Sequence, residues 1–144
     1  MLKGISPLIS PELLKVLAEM GHGDEIVLGD ANFPAASMGK NIVIRCDGHK
    51  IPELMEAILA LFPLDTFVDA PVAVMQYDPA KVNGEPPIWN TFRDIVAKHA
   101  PEAQFDYVDR FDFYDRAQKA YCVVQTGEGA LYSNILLKKG VIPF

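Results

Sequence analysis

Cysteine and histidine are scarce in this chain, and their scarcity narrows its chemistry. Two cysteines, Cys46 and Cys122, stand among 144 residues. Both lie in apolar, strand-like segments, where a buried free thiol is the ordinary reading and a disulfide is not expected. The three histidines, His22, His49 and His99, are far apart and belong to no His-x-His, His-Glu-x-x-His or Cys-x-x-Cys array, so no metal site is expected. Basic residues are outnumbered, 13 against 19 acidic, which gives a formal charge of −6 and no basic cluster beyond Lys138-Lys139. That balance opposes a phosphate backbone, so nucleic acid is not an expected partner, and it slightly favours a neutral small molecule over an anionic one. Long apolar runs are also missing. Ala57 to Phe62 is bounded by Glu56 and Pro63, well short of the ~20 residues a membrane-spanning helix needs. Met1 to Ser10 carries one lysine and no apolar stretch ending in small residues, so it does not read as a secretory signal. A cytoplasmic location without membrane association is the expectation.

What is present is an apolar half, enough for one domain over 1–144 with a core of its own. Ser10-Pro11-Glu12 reads as a helix start: serine as N-cap, proline in the first turn, glutamate against the positive dipole end. Leu13, Leu14, Leu17 and Met20 then recur at helical spacing to a stop at Gly21, a natural C′ residue. Strand-like runs follow at Glu25 to Asp30, Asn41 to Cys46, Pro71 to Tyr77, Phe105 to Val108, Tyr121 to Thr126 and around Asn134 to Leu137. Helical patterns fall between them at Pro52 to Phe62, around Trp89 to Val96, and at Phe111 to Ala120. Ala31 to Gly39 and Asp78 to Pro87 read as loops, the latter as the mobile one. This alternation predicts a three-layer α/β/α fold with a mixed, largely parallel sheet, whose sites gather at loops leaving the C-terminal ends of strands. Asp30 and the turn after Thr126 fall in such places.

Two superficial motifs fail on inspection. Ala36-Ser37-Met38-Gly39 lacks the first glycine of a nucleophile elbow and the strand that feeds it. Gly127-Glu128-Gly129 lacks the third glycine of a dinucleotide fingerprint, whose place Tyr132 holds, and Glu128 would repel a phosphate; a tight turn is the better reading. His22 is flanked by glycines that leave its imidazole uncrowded. It can interact with the negative end of the preceding helix or take part in proton transfer, and its residues alone leave both open. With Asp30 eight positions on, it could converge on one cavity. Arg110 to Arg116 mixes charge with aromatic rings, as a polyol site does, yet also fits an amphipathic helix with Phe111 and Tyr114 in the core. Tyr132-Ser133-Asn134 supplies a phenol and an amide just before a buried strand, or simply a turn.

At these residues the chain resembles the family of L-fucose mutarotases and ribose pyranases. The likeness runs through Ser6-Pro7-Leu8-Ile9-Ser10-Pro11-Glu12-Leu13, Gly21-His22-Gly23-Asp24-Glu25-Ile26, Asp30-Ala31-Asn32-Phe33-Pro34-Ala35, Thr126-Gly127-Glu128 and Tyr132-Ser133-Asn134-Ile135. It spans both ends of the chain and leaves about 78 to 104 without a recognised motif. The resemblance implies a histidine acid at His22, sugar contacts at Asp30, Arg110, Tyr132 and Asn134, and a backbone contact at Ser133. It also implies a ring-shaped homodecamer with sites close to subunit interfaces. Arg110, in Arg-Phe-x-Phe-Tyr-x-Arg-Ala-x-Lys-Ala, is similar to the fucose branch, where the ribose branch would carry histidine. L-fucose is therefore the favoured sugar, with ribose-type pyranose–furanose exchange or sugar binding without catalysis as alternatives. Mutarotation requires only proton transfer and positioning, which general acid–base groups supply, so no cofactor is implied.

Overall fold

The first helix begins as its residues require. In the computed structural model, which describes residues 1–144, the Ser10 hydroxyl accepts the Leu13 amide at 3.1 Å. Helix α1 then runs Pro11–Glu19 and buries Leu13, Val16 and Leu17. Its exit differs from the expected glycine cap. Met20 is extended, and the left-handed residue is Gly23 (φ 87°), not Gly21. The Gly21 amide instead donates to the Asp24 carboxylate at 2.7 Å, so a side chain closes the turn and no left-handed glycine is needed at 21. The Lys139 ammonium donates to the unpaired carbonyls of Leu17, at 2.8 Å, and Met20, a cation at the helix end where the dipole favours it.

The remaining elements follow as strands β1 (Glu25–Gly29), β2 (Ile42–Cys46), β3 (Val72–Met75), β4 (Phe105–Val108), β5 (Cys122–Thr126) and β6 (Ile135–Lys138). Between them lie helices α2 (Ala35–Met38), α3 (Ile51–Leu59), α4 (Ile88–His99) and α5 (Arg110–Lys119). The short α2 occupies part of the segment expected as a plain loop. Ala35 is its buried anchor, too brief a pattern to show helical periodicity.

All six strands form one sheet in the order β2-β5-β1-β6-β3-β4. Pairs β1–β5, β2–β5 and β3–β4 are parallel, and β6 alone runs against its neighbours β1 and β3. The strand alternation sorts side chains into two cores, as the pleat demands. Ile26, Leu28, Val72, Val74, Cys122, Val124, Ile135 and Leu137 pack on one face beneath α1, α3 and α4. Val27, Ala73, Met75, Val123 and Leu136 pack on the other beneath α2 and α5. The fold is therefore α/β/α in three layers with a mixed, largely parallel sheet. One detail of α5 corrects expectation: Phe113 and Ala117 face the core, while Phe111 is 73% exposed and Tyr114 half-buried. The aromatic pattern Phe111, Phe113, Tyr114 allows either face inward. The buried spacing Phe113, Ala117, Ala120 is the one that meets Phe33 and Val123.

Candidate functional site

The reversed strand β6 assembles the site. Because it is antiparallel, its start lies beside the C-terminal ends of β1 and β3, with Ile135 paired to Leu28 and to Val74. Tyr132 and Asn134, just before β6, therefore meet Asp30, just after β1, and Arg110, which follows β4. They line a cavity of about 280 Å³ together with Phe33, Met75, Tyr114 and the loop residues Lys81 and Val82. Four of the five residues expected to contact a sugar are brought together here.

Each is held by a specific bond. The Asn134 amide oxygen accepts the Asp30 backbone N–H at 2.7 Å, which leaves the NH₂ end as a donor. The Asp30 carbonyl accepts from the buried Gln125 amide at 2.5 Å, and its carboxylate accepts the Asn32 amide at 2.9 Å. Burial raises the Asp30 carboxyl above its ordinary value, against the backbone bonds from Asn32 and Phe33 and with help from the nearby charge of Glu128. Arg110 lies over the Tyr114 ring at 5.3 Å and donates Nε–H to the Tyr114 hydroxyl at 3.1 Å. It makes no ion pair with a carboxylate, so its charge is available to a ligand. Tyr132 is the only non-glycine residue with positive φ (55°). Ser133 is fully buried and its hydroxyl donates to the Ala130 carbonyl at 2.7 Å. That side chain is spent inside the turn and does not line the cavity.

His22 stands elsewhere. It precedes β1, whereas Asp30 follows it, and a strand of that length separates the two by roughly 15 Å. Within one chain the two residues do not converge on a single cavity. His22 borders a different, largely apolar cleft of about 500 Å³ with Leu14, Leu17, Pro63, Lys139 and Ile142. Its imidazole Nε2 lies 3.0 Å from Asp65 Oδ1, and its ring meets the edge of Phe67 at 4.7 Å. Asp65 is 4% exposed. Burial alone would push its carboxyl up, but the Phe67 amide, His22 and the charge of Lys138 together bring it below the ordinary value. An ionised Asp65 accepts the Nε2–H and leaves Nδ1 as the outward nitrogen. The His22 side chain is 39% exposed, so this dyad is presented to the surface.

Asp65 was invisible in the sequence reading, since its partner is 43 positions away. Its only local signal is Leu64-Asp65-Thr66 after a proline. Tyr114, which the Arg110 to Arg116 pattern leaves open between core and a polyol site, is a further cavity residue, as is Met75 from the strand β3. Glu128 is nearly buried and accepts the Ile51 amide at 3.3 Å and the Ala130 amide at 3.1 Å. It thus caps α3 and shapes the turn before Tyr132. No three His, Cys, Asp or Glu side chains group to hold a metal ion, and no helix is long and apolar enough to cross a membrane.

An α/β sheet whose one reversed strand closes a small cavity over its neighbours' C-terminal ends presents Asp30, Arg110, Tyr132 and Asn134 there beside apolar walls, the mixed lining of a small-molecule binding site. Residues 3–142 match the RbsD / FucU transport protein family, and the chain belongs to that family. It is 51% identical over 146 residues to the fucose mutarotase of Danio rerio, covering 99% of this chain and 95% of the relative. It is 50% identical over 145 residues to that of Homo sapiens, covering 98% and 94%. The crystal structure of the Streptococcus pneumoniae fucose mutarotase in complex with L-fucose superposes with a TM-score of 0.89 at 51% identity, covering 99% of this chain and all of that one.

Proposed function

We propose that this chain is an L-fucose mutarotase, a single isomerase domain over 1–144 that interconverts the α and β anomers by opening and reclosing the pyranose ring. The observation that carries the reading is the likeness, over nearly the whole chain, to fucose mutarotases at half identity. The unpaired Arg110 in a sugar-sized pocket supports it. Arg110, Tyr132 and Asn134 hold the sugar hydroxyls, Asp30 accepts from them, and the Ser133 backbone N–H borders the same turn. His22 is the proton donor: as the imidazolium it gives its Nδ1 proton to the ring oxygen while a base, a pocket side chain or water, takes the proton of the anomeric hydroxyl, the C1–C2 bond rotates, and the ring closes on the other face of the aldehyde as both protons return. Asp65 orients the ring by accepting its Nε2–H. No electrons move to or from the protein, and no cofactor is required.

The separation of His22 from the pocket supports a site shared between copies, in which the surface His22 of one subunit, backed by its buried Asp65, faces the Asp30–Arg110 pocket of the next. A homodecameric ring in the cytoplasm is the assembly proposed. Two-dimensional exchange NMR on the anomeric protons of L-fucose tests the reading. Accelerated α–β exchange supports it; binding without acceleration leaves a sugar-binding protein; preferential pyranose–furanose exchange of ribose moves it to the other branch.

A further inference from the structure

Tyr132 carries the only left-handed non-glycine backbone in the chain, and it does so on the wall of the cavity. Such a conformation disfavours an L side chain and persists where surrounding contacts hold it. Those contacts are visible at both ends of the residue. The Trp89 indole Nε1–H donates to the Tyr132 carbonyl at 2.8 Å. The Tyr132 hydroxyl accepts the Asp78 amide at 3.1 Å, the first residue of the connection that brings Lys81 and Val82 to the cavity. Trp89 is itself immobilised. It is 1% exposed, and its ring lies against Tyr77 at 5.7 Å and Tyr107 at 5.2 Å. Tyr107 in turn accepts from Arg93 at 2.9 Å, and Arg93 is paired with Glu85 at the far end of the same connection. A buried indole thus joins the strained pocket tyrosine to both anchors of the 78–87 segment.

We infer that Trp89 is a positioning residue for the sugar pocket: its indole N–H holds Tyr132 in the left-handed conformation that aims the phenol at the ligand and at Asp78. The inference rests on the sugar-pocket reading above and adds to it a residue that touches no ligand. Segment 78–87 is then a preorganised wall, clamped before the sugar arrives, where the sequence suggested a mobile loop. Tyr132 meets the sugar hydroxyls in the closed and opened forms alike. Loosening it therefore removes uniform binding, which raises KM and leaves kcat in place.

Trp89 is the only tryptophan in the chain, so replacing tryptophan throughout with benzothienylalanine puts sulfur in place of the indole N–H with nearly unchanged shape. Exchange NMR on this protein and on Trp89→Phe is expected to show KM and Kd for L-fucose raised about tenfold and kcat within about twofold. A purely structural role would lower the active fraction, and with it apparent kcat, without moving KM. In a Tyr132→Gly background, where neither strain nor phenol remains, the Trp89 change is expected to have no further effect on KM. Should Trp89→Phe fail to fold, the benzothienyl protein alone decides. Unchanged Kd and KM after loss of the N–H, or full additivity with Tyr132→Gly, overturns the inference. A wild-type protein that neither binds nor exchanges L-fucose overturns the sugar-pocket reading and this inference with it, whereas normal wild-type exchange with an indifferent Trp89 overturns this inference only.

Discussion

Asp30 and Asp65 are two withdrawn carboxylates that the fold treats in opposite ways, and the difference sets their roles. The Asp65 carboxyl is held below the unfolded value near 3.8 by donors that outweigh its burial. Its contribution to stability is complete above pH ~3.8 and is lost as pH falls through the lower folded value. The Asp30 carboxyl is held above 3.8, chiefly by burial. The native state therefore binds that proton more tightly, a gain that is full below 3.8 and gone once pH rises through the folded value. Ionising Asp30 in the folded chain therefore costs stability. Asp30→Asn, which keeps an oxygen for the Asn32 amide, is expected to raise Tm at pH 7 while cutting exchange activity at least ~10-fold, the trade-off of a site kept for function. Calorimetry and exchange NMR on one sample check both halves. Asp65→Asn should act the other way on stability, lowering Tm at pH 7. Its exchange rate should fall by up to about 10²-fold, since general acid help as a whole contributes about 10²–10⁴-fold.

At the scale of elements, the site depends on close approaches that only glycine permits. A Cβ on Gly127, at the exit of β5, would lie 2.1 Å from the Asp47 carbonyl oxygen, a backbone atom in the turn after β2. Gly127→Ala is therefore expected to lose about 1–3 kcal/mol of stability, read by urea unfolding, because backbone on both sides must shift. The element types were legible because strand and helix patterns are local. Leu13, Leu17 and Met20, or Trp89, Phe92 and Val96, reveal a buried face wherever the chain goes. The direction of β6 was less apparent, though its cause is simple. The helix-free connection 127–134 is too short for the crossover of a dozen or more residues that a parallel return needs. The same reversal explains why Asp30, Arg110, Tyr132 and Asn134 meet, which the sequence suggested by resemblance and not by geometry. Phe111 was misplaced because two helical faces of α5 are equally apolar, and only packing on Phe33 and Val123 chooses between them.

For the whole molecule, the decisive fact is the distance between His22 and the pocket. Proton transfer needs a donor within hydrogen-bond reach, and roughly 15 Å along β1 forbids that inside one copy. No sequence pattern shows this, since His22 and Asp30 are eight positions apart and become remote only because the intervening strand is extended. The Asp65 partnership is equally hidden; it is made by the Leu64–Lys139 bridge, which draws the 63–65 turn to the end of β6. A shared site makes a quantitative prediction. His22→Ala keeps the pocket and loses the donor; Arg110→Ala keeps the donor and weakens the pocket. Each assembled alone should exchange L-fucose poorly. Dissociated, mixed in equal amounts and reassembled at random, they place an intact His22 opposite an intact Arg110 at about a quarter of the junctions, so about a quarter of wild-type activity should return. A site contained in one copy would recover nothing on mixing, because every pocket would keep its own defect. Measuring exchange before and after reassembly, with the oligomeric mass followed by light scattering, separates the two arrangements.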